Sequence, residues 1–176
     1  MNIVCFGDSI TEGYMVPNEA AYPTLLSRLL DAICVNLGVS GDTSYDAVAR
    51  LGELDKYLAS DGKTLVLVEF GINDFFMAVP AKECESNLEK IVEHIHSMGQ
   101  RPVLLGFDMD YPGVPEWIKL YGRLSEKCNI PLYPNIFEGL SKREGDFLSD
   151  GLHPNESGYS KIASGVGNFL LKKNLI

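Results

Sequence analysis

Four short polar stretches of this 176-residue chain carry groups suited to nucleophilic chemistry. Gly7-Asp8-Ser9-Ile10-Thr11-Glu12-Gly13 follows an apolar run, so the Ser9 hydroxyl can stand at a strand end with its own backbone N–H turned toward whatever it attacks. In Gly38-Val39-Ser40-Gly41-Asp42-Thr43-Ser44, Gly41 lets the main chain approach a ligand with no side chain between. Gly71-Ile72-Asn73-Asp74 offers the Asn73 amide, a donor of the kind that stabilises an oxyanion. Asp150-Gly151-Leu152-His153-Pro154 places a carboxylate three residues before an imidazole. Within one turn, Asp150 can hold Nδ1–H of His153 and leave Nε2 to take a proton from a serine. Taken singly, the first three stretches read more simply as turn or helix-cap residues. The other two histidines, His94 and His96, lie two apart in a helical pattern, point in different directions, and suit neither metal chelation nor a proton relay.

The elements that must position these loops are legible from periodicity. Apolar runs at 2–6, 33–37, 64–70, 102–107 and 131–133 read as strands, and the unbroken Leu65-Val66-Leu67-Val68 suits a strand covered on both faces. Between them, residues 22–32 and 45–59 read as amphipathic helices. Leu88, Ile91, Val92 and Ile95 mark a third helix, Trp117, Leu120, Tyr121 and Leu124 a fourth, and Tyr159 to Leu170 a last one, with Lys172 and Lys173 in its final turn. Regular strand–helix alternation implies an α/β fold, a mostly parallel sheet between two helical layers. In such folds ligands bind outside the carboxyl ends of the strands, where the polar stretches fall.

Composition narrows the chemistry. Fifteen Lys and Arg against 24 Asp and Glu give a net charge of −9, which repels phosphate backbones, so nucleic acid is not an expected partner. Cys5, Cys34, Cys84 and Cys128 are widely spaced, with no CxxC pair to suggest a disulfide framework or zinc site. No stretch reads as a signal peptide or a membrane span, so the expected compartment of the chain as written is the cytoplasm. There is no P-loop, no GxGxxG and no GxSxG elbow.

Together the four stretches resemble the SGNH hydrolases, also called GDSL esterases and lipases. The resemblance runs through Ser9 in Gly7-Asp8-Ser9-Ile10, Gly41 in Ser40-Gly41-Asp42, Asn73 in Gly71-Ile72-Asn73-Asp74, and Asp150 with His153, in the family's order over essentially the whole chain. The wording around Gly41 looks most like the small bacterial branch of lysophospholipases, thioesterases and arylesterases. Ile10 replaces the name-giving Leu, and Ile72 sits where that branch often has Gly. The resemblance implies one domain over 1–176, folded as a flavodoxin-like three-layer α/β/α sandwich with a five-stranded sheet. It implies ester hydrolysis through an acyl-enzyme, with Ser9, Asp150 and His153 catalytic. The Ser9 and Gly41 N–H groups and the Asn73 amide would form the oxyanion hole. No cofactor is expected, and the partner is a small-molecule ester.

Substrate choice is read from apolar loop residues. Phe75, Phe76 and Met77 after Asn73, and Met109 and Tyr111 after the fourth strand, with Trp117 further on, are expected to border an acyl or aryl pocket. Alternatives remain at this stage: an O-deacetylase of small molecules or carbohydrates, a flavodoxin-like carrier, or a non-catalytic binding module. Against the carrier, the first loop has two carboxylates where a phosphate would sit.

Overall fold

The computed structural model describes residues 2–58 and 64–176. Five strands, β1 (Asn2–Gly7), β2 (Ile33–Gly38), β3 (Leu65–Glu69), β4 (Arg101–Leu105) and β5 (Leu132–Tyr133), form one sheet in the order β2-β1-β3-β4-β5. Every pairing is parallel, with Gly7 opposite both Gly38 and Glu69. β3 is buried along its whole length, as an apolar run covered on two faces should be.

Among the described residues eight α-helices connect and cover the strands: α1 (Ser9–Glu12), α2 (Tyr22–Leu30), α3 (Ser44–Ala49), α4 (Leu51–Leu54), α5 (Ile72–Phe76), α6 (Ala81–Ser97), α7 (Val114–Cys128) and α8 (Glu156–Lys172). α2 packs on α8, while α3 and α7 both pack on α6, so helices occupy two separate layers. Because the chain goes from β1 outward to β2 and then returns to place β3 on the other side of β1, β1 and β3 flank the switch point where such sheets bind ligands. Among the described residues, no helix is long and apolar enough to cross a membrane.

The helix expected over 45–59 differs in the structure. It starts one residue earlier, breaks at Arg50, resumes as α4 and tightens into a 3₁₀ turn at Asp55–Tyr57; position 59 lies outside the described residues. Two physical causes combine. Gly52 weakens the second half, and the Arg50 side chain is drawn inward across the strand ends rather than left on a helix surface.

Candidate active site

Asp8 caps α1 by accepting the Ile10 N–H at 2.9 Å, and Gly13, at φ +90°, ends it after one turn by returning its N–H to Ser9 O. Ser9 therefore begins a helix, where its N–H has no intrahelical acceptor. The residue is 7% exposed, and Oγ lies 3.0 Å from Nε2 of His153. On the other side of the ring, Nδ1 lies 2.8 Å from Asp150 Oδ2, while Asp150 Oδ1 accepts the N–H groups of Leu152 and His153 at 2.9 and 3.0 Å. A carboxylate facing Nδ1 fixes the proton there, so Nε2 is the acceptor for the Ser9 hydroxyl. Burial pushes the Asp150 carboxyl up, but the Leu152 N–H, the imidazole and the His153 N–H outweigh it and hold it below the usual carboxylate range. The Tyr14 ring lies over the imidazole, with centroids 4.4 Å apart.

The loop carrying Asp150 and His153 is pinned to α8 by Asp146, a buried acid that sequence reasoning overlooked. Its carboxylate accepts from Ser141 N–H at 2.8 Å, Lys161 Nζ at 2.7 Å and Ser157 Oγ at 3.1 Å, and its carbonyl accepts from Asn155 N–H at 2.9 Å.

The second wall of the cleft is built by the turns after β2 and β3. Gly41 has φ +86°, and a Cβ there would meet nothing within 4 Å, so the turn is open at this position. The Gly41 turn is fixed on both sides, by Ser40 donating to Glu12 and by Asp42 accepting from Arg50 Nε at 2.5 Å. Gly71, at φ +125°, opens α5; a Cβ there would fall 2.2 Å from the Tyr121 hydroxyl, which donates to Phe70 O at 2.7 Å. Asp74, also overlooked in the sequence, ties α5 to α3 by accepting from Ser44 N–H and Oγ at 2.8 and 2.6 Å. Asn73 is thereby brought to the cleft, but its amide nitrogen is engaged at rest. It donates to Asp42 O at 2.9 Å and to Asp8 Oδ2 at 3.2 Å. The donor that the sequence places in the crevice is therefore already hydrogen-bonded, at the shorter distance to Asp42 O and at the longer to Asp8 Oδ2.

Arg50 carries this wall. Its guanidinium donates to the carbonyls of Gly7 and Leu37, both at 2.9 Å, and stacks on Phe6 with Cζ 4.5 Å from the ring centroid. Arg50→Ala should cost roughly 3–5 kcal/mol, since it leaves Asp42 and two strand-end carbonyls without their donor. Arg50→Lys should recover little of that, because one ammonium cannot span the same fork. Thermal or urea unfolding of the two variants checks both statements.

Beside Asp150 opens a cavity of about 790 Å³. Phe76, Met109 and Tyr111 line it, as the sequence suggested, joined by Phe137, Leu140, Phe147 and Leu152 and by the polar Asp108, Asp110, Asn135, Glu138 and Lys142. Phe75 and Met77, expected there too, are not among its lining residues. Phe75 is held behind the wall by edge contacts to Phe76, Phe107, Tyr111 and Trp117, while Met77 projects outward at the end of α5. Trp117 is core. His94 turns to Asp55 at 2.6 Å, away from any cluster. Among the described residues no group of three His, Cys, Asp or Glu is arranged to hold a metal.

An arylesterase from Vibrio mimicus is 30% identical over 181 aligned positions, covering 97% of this chain and 88% of that protein. An Escherichia coli protein named for thioesterase, protease and lysophospholipase activities is 28% identical over 167, covering 92% and 79%. The crystal structure of TesA superimposes with a TM-score of 0.89 at 27% identity, over 100% of both chains. The model of the GDSL-like lipase/acylhydrolase family matches residues 5–161, and this chain is therefore a member of that family of ester hydrolases.

Proposed function

We propose that this enzyme is a serine esterase in which Ser9 is the nucleophile, His153 the general base and acid, and Asp150 the group that orients and stabilises the imidazolium. The observation that carries the reading is the hydrogen-bonded line from Ser9 Oγ through His153 to Asp150 Oδ2, at 3.0 and 2.8 Å. Ser9 Oγ attacks the ester carbonyl while its proton passes to Nε2; His153 then protonates the leaving alkoxide, and a water repeats the sequence on the acyl-enzyme. Negative charge on the carbonyl oxygen is met by the Ser9 and Gly41 N–H groups, and by the Asn73 amide once it is shared away from Asp8. One such donor is typically worth 10²–10³ in kcat, about 3–4 kcal/mol, so Asn73→Ala should lose roughly that much, while loss of its bonds to Asp42 O and Asp8 lowers stability by about 1–3 kcal/mol and leaves the protein folded at assay temperature.

The base must be neutral to act. Activity should therefore be lost on acidification and be regained when the imidazole base is again neutral. A rate constant from pH 5 to 9 would rule out His153 as the base.

The cavity, within the usual range for small-molecule sites, supports small to medium acyl or aryl esters as substrates, with thioesters and lysophospholipids suggested by the names of the relatives. A chain-length series of p-nitrophenyl esters tests it. Gain in kcat/KM from acetate to longer acyl groups supports an acyl pocket. Acetate preference with no such gain favours the O-deacetylase reading, for which the cavity's polar side chains would suit a hydroxyl-rich alcohol.

A further inference from the structure

Beneath the nucleophile lie two carboxyl groups that the proposed reaction does not touch. Asp8 is fully buried and Glu69, which ends the otherwise apolar β3, is 2% exposed. Glu69 Oε2 accepts from Thr11 Oγ1 at 2.9 Å and from Asp8 N–H at 3.4 Å, and the Tyr22 hydroxyl stands 3.2 Å from Thr11 Oγ1. Asp8 accepts from Ile10 N–H at Oδ1 and from Asn73 Nδ2 at Oδ2, and the bond from its own N–H to Glu69 Oε2 brings the two buried carboxyls into the same water-free site. Two carboxyls buried together without a cation cannot both ionise at modest cost, so one of them holds a proton. Arg50 is committed elsewhere, to Asp42 and the carbonyls of Gly7 and Leu37. Two buried unpaired charges here would be prohibitively costly.

We propose that Glu69 is held as a carboxylic acid donating to the Asp8 carboxylate, and that this acid pair positions the Asn73 amide for the reaction. Because Glu69 Oε2 already accepts from Thr11 and Asp8 N–H, its other oxygen carries the proton. Burial and the Asp8 charge push Glu69 well above its ordinary range. Burial also raises Asp8, to about 7, with the Ile10 N–H and the bond to Glu69 working the other way and the charges of Asp42 and Asp74 adding to the rise. The other titratable groups around the pair are the phenols of Tyr22, Tyr121 and Tyr159, all raised first by burial and so neutral. An unshared Asp8 charge would both grip the Asn73 N–H and repel the oxyanion. Spread over the pair, the same charge fixes the plane of the amide yet lets one N–H be shared. Asp8 and Glu69 are positioning residues, and their kinetic role rests on the esterase reading.

Infrared difference spectra of wild type against Glu69→Gln decide the protonation directly. At neutral pH, where exposed carboxyls are ionised, one carboxylic-acid C=O band should vanish in the variant; no such band in wild type overturns the acid pair. Kinetics decide the positioning. Asp8→Asn keeps an acceptor for the Ile10 N–H but turns a donor toward Asn73, so kcat should fall on the order of 10–100-fold with KM within about twofold. On an Asn73→Ala background the same change should cost under about threefold, because the two residues act as one unit. Equal costs on both backgrounds overturn the positioning role. Glu69→Gln, which keeps a donor, should retain about tenfold more kcat than Glu69→Leu. Equal losses with equally lowered unfolding midpoints would show a packing role instead. Should Glu69→Leu fail to fold, the infrared band and the Asp8/Asn73 cycle still decide. Absence of any Ser9-dependent turnover in wild type would sink the esterase reading and, with it, the kinetic role, while the infrared result stands by itself.

Discussion

Ser9→Ala should lower kcat on p-nitrophenyl esters by a factor on the order of 10⁶, as removal of the nucleophile does where triads have been dissected. The size of the effect follows from the surroundings of Oγ. Its hydrogen-bond partner in the structure is Nε2 of His153, and the hydroxyl is almost wholly buried, so truncation removes the attacking atom without exposing or voiding much. The helix that begins at Ser9 keeps its Asp8 cap and its Gly13 stop. Unfolding should therefore be unchanged to within about 1 kcal/mol, which separates a chemical loss from a folding loss. Some turnover above the uncatalysed rate should survive, because the oxyanion donors and the cavity remain. A phosphonate ester should label the wild-type enzyme once, at Ser9, and leave the variant unmodified by mass spectrometry. Wild-type-like turnover by purified Ser9→Ala would refute the assignment.

The second large effect is expected at Asp150, and its sign can be made diagnostic. In Asp150→Asn the amide oxygen can still accept the Leu152 and His153 N–H groups, so the loop holds its shape. The amide nitrogen then faces Nδ1 and donates to it, which drives the ring proton to Nε2 and removes the acceptor that Ser9 needs. A loss on the order of 10⁴ in kcat follows from that wrong tautomer. Asp150→Ala presents no wrong donor, and since the Asp150 side chain is 41% exposed, water can take the vacated place. Alanine should therefore be the milder substitution in kcat. If asparagine proves the milder one, tautomer control by Asp150 is wrong. Because the carboxyl is held below its ordinary range, it stays ionised through neutrality. Its contribution to stability is full above the ordinary carboxylate pKa of about 4 and fades only as pH falls through the lower folded value.

The sequence showed the strands, their parallel sense and most of the helices, because an apolar run or a helical stripe is a local consequence of which face must be buried. The loops holding Ser9, Gly41, Asn73, Asp150 and His153 could be located for the same reason: each directly follows a strand or precedes the last helix. The break at Arg50 was hidden. A positive side chain within a helical stripe gives no sign that it will reach the ends of two other strands. Phe75 and Phe76 show the same limit. Adjacent, alike and on one short helix, they part company because Phe107 and Trp117 claim one ring and the cavity the other. The acid at the end of β3 was a visible anomaly in an apolar run, but its partner stands 61 positions away at Asp8.

What the chain determined by itself is the set of reactive groups and the sheet edge they share, since residue type and burial pattern act over a few neighbours. What only the folded molecule decided is where ring nitrogens and amides point: Nδ1 of His153 toward Asp150, the Asn73 amide toward Asp8 and Asp42, and the Asp8 N–H toward the buried Glu69. Those directions are set by hydrogen bonds between segments distant in sequence. Each such bond gains its strength from the exclusion of water, which no single segment achieves before the layers close.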